Sequence, residues 1–204
     1  MAAKIKLTKN ELKKQKDSLK RFRRYLPTLQ LKKQQLQMEI RTVELQKEEK
    51  RRAQEEVRKT LEAWIEVFGE PIDLSEYVRL QEVKKGMGNI AGVDIPIFLG
   101  LSYINIPWDV YLLPLWVDKG IAKLKEIIAF DIEVAILEEQ VQLLSEELRI
   151  TTQRVNLFEK VKIPEARENI RTINIYLGDQ QTAAVVRGKM AKSNLMRAEA
   201  GGRQ

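Results

Sequence analysis

Alternating steps of three and four residues from Leu12 land on Leu12, Gln15, Leu19, Phe22, Leu26, Leu29, Lys33, Leu36, Ile40, Val43, Lys47, Lys50, Gln54, Val57, Leu61, Trp64 and Phe68. Twelve of these seventeen positions are apolar. An α-helix has 3.6 residues per turn, so a stripe that repeats every 3.5 drifts around it unless the helix supercoils against a partner. Held over about eight heptads, the repeat predicts a left-handed coiled coil with a helix roughly 90 Å long. Pro27 removes one backbone hydrogen bond inside it. Because the phase runs unchanged from Leu26 to Leu29 and Leu36, a kink is expected there rather than a break.

A partner stripe lies further along the same chain. Ile127, Phe130, Val134, Leu137, Val141, Leu144, Leu148, Thr151, Val155 and Phe158 repeat the pattern, and only Thr151 among them is polar. The phase slips around Lys162 and Pro164, as a four-residue stutter would make it, then resumes at Ala166, Ile170, Ile173 and Leu177. This helix is expected to reach Lys192, leaving residues 193–204 as a flexible polar tail. Residues 69–118 break helix repeatedly with Gly69, Gly86, Gly88, Gly92, Gly100, Pro71, Pro96, Pro107 and Pro114. Weak alternation over Tyr77–Lys84, better alternation over Asn89–Ile95 and the intervening Gly86-Met87-Gly88-Asn89 suggest a small β-hairpin turning at those glycines. Neither apolar stripe can stay in water, so the two helices must fold back on each other. The expected fold is mainly all-α: a long antiparallel two-helix coiled coil (1–68 and 119–192) with a small β-hairpin in an irregular connector (69–118).

Composition narrows the chemistry. The 204 residues include no cysteine and no histidine, which excludes disulfides, thiolate zinc sites, Ser-His-Asp triads and the commonest general base. No stretch approaches the roughly 18 apolar residues of a spanning helix, and the basic N-terminus runs into more charge, so a cytoplasmic protein is expected. Charge is uneven: residues 1–59 hold 19 Lys/Arg against 8 Asp/Glu, residues 60–118 hold 3 against 9, and residues 119–204 hold 14 against 12. One end of the molecule is therefore a positive patch.

The local signals give no catalytic, cofactor-binding or metal-ligating residue. Gly86, Gly88 and Gly92 invite a nucleotide reading, but Ala91 stands where the third glycine of a dinucleotide fingerprint belongs. The cluster opens no helix, and Gly188-Lys189 is followed by Met190 rather than the Ser or Thr of a phosphate loop. The carboxylate pairs Glu138/Glu139 and Glu146/Glu147 point about 100° apart on a helix and read best as a solvated face. Lys13, Lys14, Lys16, Lys20, Arg21, Arg23 and Arg24, interleaved with Phe22 and Tyr25, suit phosphate contacts, a solvated face or docking into an acidic protein cavity. A basic coiled-coil scaffold or nucleic-acid rod thus stays open beside a mechanical role.

Leu31, Met38 and Leu45 repeat every seven residues off the main seam; packing against a returning segment would explain them, but an extra apolar stripe on a rod more often means that a third surface comes alongside. Lys47, Lys50 and Gln54 interrupt the seam, each removing burial worth about 1.5–3 kcal/mol. Levelling Phe68 with residue 118 brings the two lysines towards Leu137, Glu138 and Glu139. Antiparallel pairing likewise puts the basic N-terminal end beside Arg187, Lys189 and Lys192 at one narrow tip. The partner-facing candidates are accordingly Leu31, Met38, Leu45, Lys13, Arg21, Arg24, Arg187, Lys189 and Lys192.

Several stretches carry a family resemblance: Lys6-Leu7-Thr8-Lys9-Asn10-Glu11-Leu12 with the Lys/Arg-rich helix after it, Arg154-Val155-Asn156-Leu157-Phe158-Glu159-Lys160 with Ile163-Pro164, and Lys189-Met190-Ala191-Lys192. In their order and coverage they resemble the D subunits of the V-type and A-type rotary ATPases and ATP synthases, the axles of the central stalk. Tyr25-Leu26-Pro27-Thr28-Leu29 and the long middle insert are similar to the bacterial branch of that family. The resemblance implies a non-catalytic rotor without cofactor. Its helix ends would sit in the hexamer of catalytic and regulatory subunits. Its other half would hold the F subunit of the central stalk and dock through a funnel-shaped subunit onto the membrane rotor ring. Rotation would then couple ATP hydrolysis or synthesis to proton or sodium transport.

Overall fold

The computed structural model describes residues 5–68, 76–104, 106–107, 114 and 116–201. Helix α1 runs Lys9–Phe68, strands β1 and β2 run Arg79–Ile90 and Val93–Ile104, and α2 runs Val117–Asn156. A six-residue π turn, Leu157–Lys162, then leads into α3, Ile163–Gly201. Gly69, Pro71 and Gln204 lie outside the described residues. By packing, the chain divides into two units, residues 31–151 and residues 1–30 with 152–204.

Thr8 starts α1: its side-chain oxygen accepts from the Glu11 N–H at 3.3 Å and its carbonyl from the Leu12 N–H at 3.0 Å. The first satisfies one of the four donors that a helix start leaves unpaired, and the second is the first bond of the helix itself. Pro27 lies inside α1 without ending it. Its position faces solvent, where water can take up the carbonyl that the missing N–H leaves free.

In the unit of residues 31–151, Leu36 and Val43 of α1 meet Leu144 of α2 and Ile95 of β2, with Ile40, Leu137, Val141 and Leu148 packed around them. Each of these burials stabilises by about 1.5–3 kcal/mol. The helices are antiparallel, since contacts on α1 climb as those on α2 fall: Lys32 with Glu147, Lys50 with Glu133, Gln54 with Asp131. The expected lysine partners are displaced by one turn. Lys50 reaches Glu133 at 2.6 Å and lies over the Phe130 ring, and Arg51 takes Glu138 instead.

The hairpin turns four residues later than expected. Gly86 and Gly88 sit within β1, opposite Ile97 and Ile95, and the turn is Ala91-Gly92, with φ of 52° and 80°. Two consecutive positive φ values give a turn whose twist matches that of the strands. Asn89 braces it by accepting from the Gly92 N–H and donating to Asp94. The glycines of β1 serve close approach instead: a Cβ on Gly88 would stand 2.5 Å from Ile97 Cδ1, and one on Gly86 3.2 Å from Leu99 Cδ1. The hairpin is fastened to α2 at three points. Gln140 Nε2 donates to the Pro96 carbonyl, the Tyr103 hydroxyl donates to the Lys125 carbonyl, and Lys85 pairs with Glu139. Burial raises the pKa of that tyrosine.

In the other unit α1 and α3 are again antiparallel, with Phe22 against Phe158 and Gln15 against Asn169. Val155, Ile163, Ala166 and Ile173 are its buried positions. The slip near Pro164 is one extra residue taken up by the π turn, not a four-residue stutter. From Phe158 the inward positions step by five to Ile163 before the threes and fours resume. Helix α3 also runs to Gly201, past Lys192.

Candidate interaction surfaces

The carboxylates that a catalytic reading would need are taken up by cations. Glu138 pairs with Arg51, Glu139 with Lys85, Glu146 with Arg149 and Glu147 with Lys32. Hydrogen bonding to Arg149 holds the Glu146 carboxyl below its ordinary value. Among the described residues no group of three or more carboxylates could hold a metal ion. The groove between α1, β2 and α2, about 560 Å³, is lined by Val43, Ile95, Ile97, Phe98 and Leu137, and its Lys50–Glu133 pair is closed on itself.

The surface is more telling. Leu31, Met38 and Leu45 are 55%, 69% and 67% exposed, whereas Leu36 and Val43, two residues before Met38 and Leu45, are buried. At 100° per residue a two-residue offset is 200°, so the stripe lies on the side of α1 opposite the core. Lys13, Arg21 and Arg24 are exposed on the first turns of α1, where Arg21 donates to Ser18 at 3.4 Å.

Arg187, Lys189 and Lys192 are exposed too, but not at the level of those residues. Gln15 stands beside Asn169, so the first residue of α1, Lys9, falls near residue 175. Arg187 then lies about 18 Å further along α3. The expected single tip holding both basic sets is therefore two separate zones. The ends of α1 and α3 are not flush, and the sequence periodicity carries no signal for such a stagger.

The distal zone contains side chains that the periodic reading passed over. Beyond Leu177 the seam phase ends, yet Val185, Val186, Met190, Leu195 and Met196 follow, all exposed. Between residues 180 and 198 there are four cations, Arg187, Lys189, Lys192 and Arg197, and no acid. Apolar side chains recurring off the seam were the available sign of this zone.

A family model that describes the D subunit of ATP synthase matches residues 11–193. The V-type ATP synthase D subunit of Borreliella burgdorferi is 56% identical over 195 residues, covering 96% of each chain. Its counterparts in Chlamydia muridarum and Chlamydia felis are 35% and 34% identical over 198 residues, covering 96% of this chain and 98% and 95% of theirs.

Proposed function

The chain belongs to the D-subunit family of ATP synthases, and from that premise we propose that it is the central rotor shaft of a bacterial V-type complex. It is a non-catalytic subunit of a rotary ATPase. In this role it carries torque between ATP hydrolysis or synthesis in a hexamer of catalytic and regulatory subunits and proton or sodium transport through the membrane ring.

The distal part of α3 carries the reading. It continues past the start of α1 with five large apolar side chains and four cations uncovered by the rest of its unit. Exposed apolar side chains in that number mark a protein contact, and cations without acids suit an acidic cavity. We place this zone, with Lys13, Arg21 and Arg24, inside the hexamer. Leu31, Met38 and Leu45 are assigned to the F subunit of the stalk, and the unit of residues 31–151 to the funnel-shaped subunit that leads to the ring. Among the described residues no helix is long and apolar enough to cross a membrane; in this reading the shaft reaches the cytoplasmic side of the membrane through these partners.

Affinity purification of the tagged chain from its own cells, with and without nuclease, tests the proposal. Catalytic and regulatory ATPase subunits are expected in both samples. Their absence, or partners released by nuclease, would instead favour a nucleic-acid rod.

A further inference from the structure

Within the unit formed by residues 1–30 and 152–204, the inward positions of the returning helix are Val155, Phe158, Ile163, Ala166 and Ile173. Phe158 to Ile163 is a step of five, which a seam of alternating threes and fours does not contain. In an unbroken α-helix the extra residue would turn Ile163 and everything after it about 100° away from α1. Instead Leu157–Lys162 is a π turn, and the Ile163 N–H donates to the carbonyl of Phe158, five residues back. The wider turn absorbs the residue, so Ile163 returns to the face of Val155.

None of the six π residues is buried, and Leu157 and Val161 are exposed, so the extra length bulges outward. Pro164 follows at once. It has no N–H to give, and in an α turn its ring would press on the Lys160 carbonyl; a wide turn just before it relieves that contact. On either side the seam is firm, with Val155 buried before the turn and Ile163 and Ala166 after it, and within the turn Phe158 meets Phe22 with ring centroids 5.3 Å apart.

We propose that Leu157–Lys162 is a torsional joint pinned by Pro164. Small twists of α3 about its own axis are taken up here by stretching and bending the wide turn's bonds to the fifth residue back; full exchange for bonds to the fourth would turn Ile163 off the seam. The seam contacts of Val155, Ile163 and Ala166 stay in place, because Phe158 alone among the joint's six side chains lies on the seam. The joint is a property of the chain; only the load that it meets rests on the rotor reading.

Two variants of the full chain test it by amide hydrogen exchange and thermal melting. In the unaltered chain, amides 159–163 are expected to exchange roughly tenfold or more faster than those of 152–156 and 166–172. Deleting Glu159 together with Pro164→Ala makes the seam an unbroken series of threes and fours. That variant should keep its helix content and melting temperature and bring the joint's exchange down to that of its flanks. Deleting Glu168, which lies outside the joint, should lower the melting temperature by moving Ile173 off the seam. Equal protection of joint and flanks in the unaltered chain would overturn the proposal, as would a Glu159 deletion that melts like the Glu168 deletion. Failure to recover ATPase subunits in the purification above would overturn the rotor reading and leave the exchange result standing.

Discussion

Truncating Leu36 and Leu31 separately to alanine puts the division between core and stripe to a quantitative test. Both are leucines of α1 five residues apart, but Leu36 is 0% exposed between Val43, Ile95 and Leu144, and Leu31 is 55% exposed. Leu36→Ala removes three buried carbons, worth about 2.4 kcal/mol at roughly 0.8 kcal/mol per methylene. The cavity left behind adds to this, within the about 2–5 kcal/mol spanned by such truncations. Leu31→Ala loses little burial, and alanine is the better helix former, so its cost stays within about 0.5 kcal/mol. In a chain of this size each kcal/mol moves the melting temperature by about 2–4 °C. A loss of about 3 kcal/mol at Leu36 thus corresponds to roughly 6–12 °C, against about 2 °C or less at Leu31. Thermal melts followed by far-ultraviolet circular dichroism on the purified chain give both numbers. Equal shifts would refute the assignment of Leu36 to the core and Leu31 to a free surface.

Replacing Leu31, Met38 and Leu45 together with serine should leave helix content nearly unchanged and weaken recovery of the partner subunits in affinity purification. Thr151→Val removes a buried hydroxyl that meets no hydrogen-bond partner among the described residues and should raise stability by about 1 kcal/mol, measured by urea unfolding. Gly92→Ala, at a φ of +80°, should cost about 1–2 kcal/mol in the same assay, because a Cβ is disfavoured there. Arg149→Met should raise the titration midpoint of Glu146 in carboxyl-detected NMR towards the ordinary value of 4.5. A carboxyl whose folded pKa is lowered adds stability above its unfolded pKa and loses it as pH falls through the folded one, so the variant should lack that acid-side loss.

The helices were legible because a 3.5-residue repeat is written many times over, and no single polar interruption erases it. Pro27 left the phase of α1 intact, which already spoke against a break. The hairpin was legible as a hairpin, but its turn was not. Glycine marks both positive φ and close packing, and Gly86 and Gly88 were there for Ile97 and Leu99, while the first turn position is Ala91, a residue that announces nothing. The π turn looked like a stutter because one extra residue and a four-residue insertion both shift an apolar phase, and only the hydrogen bond to Phe158 separates them. Lys50 met Glu133 rather than Glu138 because register is set by core packing, which an alignment of helix ends does not contain. The stripe of Leu31, Met38 and Leu45 was visible from its spacing. The separation of the two basic zones was not, since periodicity reports which face a residue occupies and not how far one helix outruns another.

The rotor role itself is tested most directly by watching the chain turn. It contains no cysteine, so Met87→Cys, at a hairpin position 79% exposed, gives a single attachment point for a bead on a complex immobilised through its hexamer. Addition of ATP should drive sustained rotation of the bead in one direction, ceasing when ATP is exhausted. A bead that stays fixed while the same complexes continue to hydrolyse ATP would contradict the account.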